Sequence, residues 1–153
     1  MLMAGWLWYS RGTMSTYKTL TYLGAGPFLF LTVFMLLNPP AEQIFAFLIL
    51  IYGGFITSFL AGSHWKEAIK KKDKSLQFIC MIPTIVSVFI VISAVVFNPI
   101  WLLPMLMILF VWLYRLDTSL SKETHKDYIL VRRNITVLIC TLLIIAFAIS
   151  YDF

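Results

Sequence analysis

The few residues in this sequence that could do chemistry stand at the ends of apolar stretches. His64 and Trp65 follow one such stretch, and Asp117 follows another. A histidine in this position could relay a proton, ligate haem or a metal, or hydrogen-bond a neighbouring helix. Haem or metal would need a second ligand at similar depth, and the other histidine, His125, lies in a polar segment. We therefore expect a hydrogen-bonded histidine and no cofactor or metal.

A second chemical feature is the pairing of opposite charges across one polar segment. Asp117 begins this segment and Arg132 and Arg133 end it, so a carboxylate and a guanidinium could clamp two helices together. His64 with Asp117 is the one conceivable acid–base pair, and no nucleophile stands beside it in an identifiable motif, so we predict no enzyme and no catalytic residues. A binding site at this end would draw on eight residues: Tyr22, Ser58, His64, Trp65, Pro83, Asp117, Arg132 and Arg133.

Composition places these residues in a membrane protein. The 153 residues are 61% hydrophobic and 12% charged, with a mean hydropathy of +0.90, and a soluble domain of this size could not bury so much apolar surface. The twelve Lys and Arg residues are confined to short segments beside apolar stretches. Anionic lipid headgroups therefore explain the net charge of +5 better than nucleic acid does. Cys80 and Cys140 form no C-x-x-C pair, which excludes a disulfide framework.

The apolar stretches predict an all-α fold with five transmembrane helices. The predicted spans cover about residues 20–37, 44–63, 76–97, 100–116 and 134–150. We interpret residues 1–19 as an interfacial lead-in and residues 20–153 as one membrane domain. Translation could start at Met1 or at Met14, and both alternatives stay open.

The distribution of charge predicts how the protein lies in the membrane. With five spans, one side receives the N-terminus and the loops 64–74 and 117–133, which together with Arg115 contain all twelve basic residues. The positive-inside rule then places the N-terminus inside and the C-terminus outside. We expect anionic lipid headgroups to contact the lysines on the inner side.

Small residues recur every four positions along the second span, in two interleaved rows: Gly53, Thr57 and Ala61, and Gly54, Ser58 and Gly62. Such rows let membrane helices approach closely, so we predict a helix-packing seam. The alternative is a flat wall against which a ligand or a partner helix lies. The middle of each span contains no charged residue, which argues against an ion-coupled transporter.

Several short motifs point to a known family. They are Leu23-Gly24 with Pro27-Phe28, Tyr52, Ser58-Phe59-Leu60, Gly62-x-His64-Trp65, Pro83, Asp117, and Tyr128 with Arg132 or Arg133 and Thr136. In these the chain resembles the domain of unknown function 3429 family, small bacterial and mitochondrial membrane proteins whose animal members are called transmembrane protein 69. It departs from the family pattern at Ala61, Ser63 and Lys66. The resemblance implies a protein of the bacterial inner membrane or its mitochondrial equivalent, and it brings no established activity or cofactor.

Two functions remain in view. The favoured one is a non-enzymatic accessory or interaction subunit of the inner membrane, whose partners are other membrane proteins. The alternative is a binding or transport module for a hydrophobic ligand, a lipid or a quinone, near the cytoplasmic leaflet.

Overall fold

Five long helices make up the part of the protein that the structure describes. The structure is a computed structural model that describes residues 2–72, 74–120 and 126–150, and side chains are described except at 2–15, 17, 66–67, 70, 120 and 126–127. His125 and residues 151–153 lie outside the described residues. The helices are α1 (Leu2–Leu37), α2 (Glu42–Lys70), α3 (Lys74–Val96), α4 (Leu103–Leu120) and α5 (Lys126–Ile149).

Each helix, taken together with the 3₁₀ turn that precedes α2 and α4, provides a stretch that is long and apolar enough to cross a membrane. Over the described residues these stretches are Lys18–Leu37, Pro39–Trp65, Lys74–Val96, Pro99–Ser119 and Tyr128–Ile149. The predicted fold class, all-α with five transmembrane helices, is therefore confirmed.

Most helices extend beyond the predicted spans. The lead-in is helical from Leu2 and continues without a break into the first span, and α5 begins at Lys126, well before the predicted boundary at 134. The prediction counted apolar residues only, whereas a helix can continue with polar residues into the headgroup region. As a result Arg132 and Arg133 lie within α5 rather than in a loop.

Two turns at proline set the helix boundaries at one end of the bundle. Pro39–Ala41 forms a short 3₁₀ turn between α1 and α2. Between α3 and α4, the Asn98 side chain accepts a hydrogen bond of 3.0 Å from the Ile100 amide and Pro99–Leu102 forms the turn. We call the opposite end, where α2 ends and α5 begins, the basic end, because its connections carry most of the Lys and Arg.

Helix α2 lies at the centre and contacts α1, α3 and α4, while α5 packs against α1 and α4. The fully buried Phe28 of α1 links three helices through its ring. Its centroid lies 5.1 Å from that of Tyr52 in α2 and 5.7 Å from that of Phe110 in α4, both edge to face. The Tyr52 hydroxyl also donates a hydrogen bond of 2.8 Å to the Gly24 carbonyl, which fastens α1 to α2.

One row of small residues in α2 faces α4. A Cβ added at Gly53 would overlap the Leu106 side chain, so a larger residue there would require Leu106 to move. Thr57 is fully buried on the same row, and Ala61 packs against Leu113.

The other row faces α3. A Cβ added at Gly54 would lie 3.2 Å from Val91 Cγ2, and the Ser58 hydroxyl is 3.2 Å from the Ser87 hydroxyl. Gly62 departs from this row, because it is exposed and has no neighbour within 4 Å of an added Cβ. The small residues thus pack inside the bundle as far as Ala61, and Gly62 faces outward.

Candidate functional site

A buried polar cluster ties three helices together at the basic end. Asp117 Oδ1 accepts hydrogen bonds from His64 Nε2 at 2.6 Å and from the Tyr128 hydroxyl at 3.2 Å, and Asp117 Oδ2 accepts one from Arg132 Nε at 2.5 Å. We call these four residues the ion cluster. His64, Asp117 and Arg132 are only 4%, 3% and 7% exposed. Because a carboxylate only accepts hydrogen bonds, Nε2 of His64 carries a proton.

Helical periodicity explains why these residues meet. Residues three or four positions apart share a helix face, and His64 lies between Ala61 and Ala68 on the buried face of α2. Asp117 likewise follows the buried Leu113 in α4. Each ionisable group is thus carried on an apolar face that packing forces inward.

The Asp117 carboxylate is fully engaged within the cluster. The Asp117 carboxylate offsets the Arg132 guanidinium, and its two oxygens are satisfied by three donors. A buried ion pair requires such hydrogen bonds, because removing each charge from water costs free energy. The result is a polar clamp across α2, α4 and α5.

The eight residues predicted to share a site separate into two groups. His64, Asp117 and Arg132 come together in the ion cluster. The others lie elsewhere: Tyr22, Trp65 and Arg133 are exposed, Ser58 pairs with Ser87, and Pro83 is buried in α3. Adjacent helix positions are about 100° apart, so when His64 and Arg132 turn inward, Trp65 and Arg133 turn away.

A cavity of about 450 Å³ lies beside the ion cluster, between α1, α2, α4 and α5. Its walls are mainly apolar and include Leu20 of α1, Phe59 of α2, and Ile135 and Ile139 of α5. Phe59 is 76% exposed, and Leu20 is also exposed, so the cavity reaches the surface that faces the lipid. Tyr128, Arg132 and Thr136 line its polar part.

The sequence reasoning missed Tyr128 and Thr136 as site residues, although both occur in the family motifs. Their spacing contained the signal, because Tyr128, Arg132 and Thr136 follow one another at intervals of four and must share one face of α5. The cavity itself depends on side chains from four helices, and no local pattern in the sequence marks it.

The described part of the chain offers no metal site. Over those residues, no three His, Cys, Asp or Glu side chains lie close enough together to hold an ion. Cys80 is buried in α3, and Cys140 is half-buried in α5.

The described residues form five helices able to cross a membrane, three of them tied at one end by a buried ion cluster, which defines a multi-pass integral membrane protein of the all-α class. The chain belongs to the family described as Protein of unknown function (DUF3429), whose family model matches residues 13–148. The family expected from the short motifs is thereby confirmed, and the link to transmembrane protein 69 stays a prediction. No curated protein and no solved structure matches the chain significantly.

Proposed function

We propose that this protein binds one hydrophobic ligand in the cavity beside the ion cluster. The observation that carries the proposal is the cavity: about 450 Å³, with apolar walls on four helices and polar groups gathered in one part. This volume falls within the usual range for small-molecule sites, which are mostly apolar with a few placed polar groups.

The position of the opening supports entry from the bilayer. Leu20 and Phe59 lie on the cavity wall and are both exposed on the outside of the bundle. A hydrophobic molecule could pass between them without crossing water, and the polar part of the cavity would then receive its head.

The ion cluster supports binding more than catalysis. His64 and Asp117 do not line the cavity, and three donors already engage the Asp117 carboxylate. An acid–base pair needs access to the group whose proton it moves. In this proposal the His64–Asp117 contact holds Arg132 and Tyr128 in place at the cavity wall.

Two variants test the proposal, one that fills the cavity and one control that does not. Gly24 lines the cavity and Gly26 does not, and an added Cβ would meet nothing within 4 Å at either position. Both glycines lie in α1. Gly26 directly precedes Pro27, whose ring disfavours helical backbone for a larger residue, so Gly26→Leu should perturb α1 at least as much as Gly24→Leu. Only Gly24→Leu, however, occupies the cavity.

Native mass spectrometry of protein extracted in mild detergent provides the measurement. We expect the wild type and Gly26→Leu to retain a co-purified hydrophobic molecule that Gly24→Leu loses. An empty wild-type protein in every detergent, or equal occupancy in the two variants, would overturn the proposal.

We further propose that the basic end faces the cytoplasm, in the bacterial inner membrane or the mitochondrial equivalent. The confinement of the Lys and Arg residues to one side of the predicted topology supports this orientation. The ligand would then enter from the cytoplasmic leaflet.

An accessory role is the second candidate, and Gly62 is the observation that favours it. This glycine lies on the surface of α2 with open space around an added Cβ, so another protein's helix could approach its backbone closely. Gly62→Leu should then reduce the yield of co-purifying membrane proteins in mild detergent, whereas Gly26→Leu, also exposed, should not. A strictly solitary wild-type monomer would contradict this role.

A further inference from the structure

The cavity contains hydrogen-bond donors that the bundle leaves unused, and the first are on Arg132. Its Nε nitrogen is engaged by Asp117, whereas its two terminal nitrogens have no hydrogen-bond partner among the described residues. Arg132 is 93% buried, because only 7% of its surface is exposed, and it lines the cavity. Because Arg132 lines the cavity, these unused N–H groups can donate to an acceptor that is held there.

The second unused donor is the Thr136 hydroxyl, one helical turn further along α5. Thr136 lines the cavity and is 8% exposed. A helical threonine commonly donates to the carbonyl four residues back, as Thr141 does to Val137 O at 2.9 Å. Thr136 makes no hydrogen bond within the described part of the chain. Two buried polar groups on one face of α5 thus point to the same place.

The charge balance indicates what kind of acceptor fits. Asp117 and Arg132 already offset each other, so a fully anionic head would add an uncompensated buried charge. An uncharged head with acceptor oxygens avoids this penalty.

On the basis of the proposed function, we propose that the ligand is an uncharged amphiphile with one hydrophobic chain and a head that carries carbonyl oxygens. These oxygens accept hydrogen bonds from the Arg132 terminal nitrogens and the Thr136 hydroxyl. A carbonyl oxygen suits both groups because it only accepts. The cavity of about 450 Å³ holds about 15 water-sized groups, which is enough for a head and part of one chain. Isoprenoid quinones and monoacylglycerols share this chemistry.

The experiment uses four probes on the purified full-length protein in mild detergent. Decylubiquinone and monoolein are uncharged and carry carbonyl groups, oleate is anionic, and squalene has no acceptor. Native mass spectrometry under titration gives an apparent Kd for each probe. Comparing decylubiquinone with monoolein distinguishes a quinone ligand from a monoacylglycerol ligand.

The diagnostic variant is Thr136→Val, which removes the hydroxyl and nearly preserves the side-chain shape. Thr141→Val is the matched control, because Thr141 is exposed, lies in the same helix and bonds its own backbone. We expect at least one uncharged carbonyl probe to bind more tightly than oleate and squalene. Thr136→Val should weaken that probe about 3- to 10-fold, the worth of one hydrogen bond, and Thr141→Val should leave its Kd unchanged.

The outcomes separate this inference from the proposed function. If oleate binds most tightly, or if binding of the carbonyl probes is indifferent to Thr136→Val, the head assignment is overturned while the apolar cavity remains a binding site. If no probe binds and Gly24→Leu behaves like the wild type, the proposed function fails and this inference fails with it.

Discussion

Replacing Asp117 with asparagine removes the charge from the ion cluster and nearly keeps its shape. The amide oxygen can still accept from His64 and Tyr128, as Asp117 Oδ1 does now. The amide nitrogen, however, is a donor and would face Arg132 Nε, another donor, across the present distance of 2.5 Å. The guanidinium therefore loses both its counter-charge and its acceptor.

The expected loss of stability follows from the burial of the pair. Removing one partner of a buried ion pair costs about 3–5 kcal/mol, because the other charge is left uncompensated. Arg132 lies near the basic end of α5, and its side chain could extend toward the headgroups, so we expect the lower part of that range. Tyr128→Phe removes a single bond of 3.2 Å and should cost only about 0.5–1.5 kcal/mol.

Unfolding in mixed micelles of rising SDS fraction, followed by circular dichroism, measures these free energies. The double variant Asp117→Asn with Arg132→Gln should be at least about 1 kcal/mol more stable than the sum of the single effects predicts, since the residues are in contact. Salt should have little influence on the coupling, because both side chains are buried. An Asp117→Asn cost below about 0.5 kcal/mol, or additivity within that margin, would refute the clamp.

Three further predictions concern packing and topology. Gly53→Leu should lower the free energy of unfolding by about 1–3 kcal/mol through overpacking, whereas Gly62→Leu should change it little because the space there is open; equal effects would contradict the packing described for α2. Tyr52→Phe should cost about 1 kcal/mol in the same assay through loss of its 2.8 Å bond to α1, and an unchanged stability would show that this bond does not fasten the helix. With both native cysteines replaced by serine, Lys74→Cys should react with a membrane-impermeant maleimide only from the cytoplasmic side and Gln43→Cys only from the other, and the reverse pattern would refute the proposed orientation.

The number of helices could be read from the sequence because each span is a long apolar stretch bounded by polar or proline-containing turns. The ends of the helices were harder to predict from the sequence. The polar residues from Lys126 onward continue α5 outward from the membrane, and hydropathy does not distinguish such a continuation from a loop.

The candidate site could be predicted from the sequence in part. The charges of Asp117 and Arg132 on either side of one polar segment indicated a clamp, and the spacing of residues on α5 favours Arg132 over Arg133 once one face is known to be buried. The rotation of α2, which buries His64 and exposes Trp65, depends on the partner helices. Gly24 lines the cavity and leaves open space where a Cβ would lie, but the size of a single residue gains this meaning only after the helices are packed.

The ion cluster also imposes an order on biogenesis. A chain inserted from its N-terminus brings His64 and Asp117 into the membrane before Arg132, because α5 follows α2 and α4 in the chain. Until α5 arrives, Asp117 Oδ2 lacks the guanidinium that it holds in the finished bundle. The same helix supplies Ile135, Thr136 and Ile139 to the cavity wall. Arrival of α5 therefore supplies the guanidinium that pairs with the buried carboxylate and completes the cavity in one step, and a nascent chain truncated before Lys126 has neither.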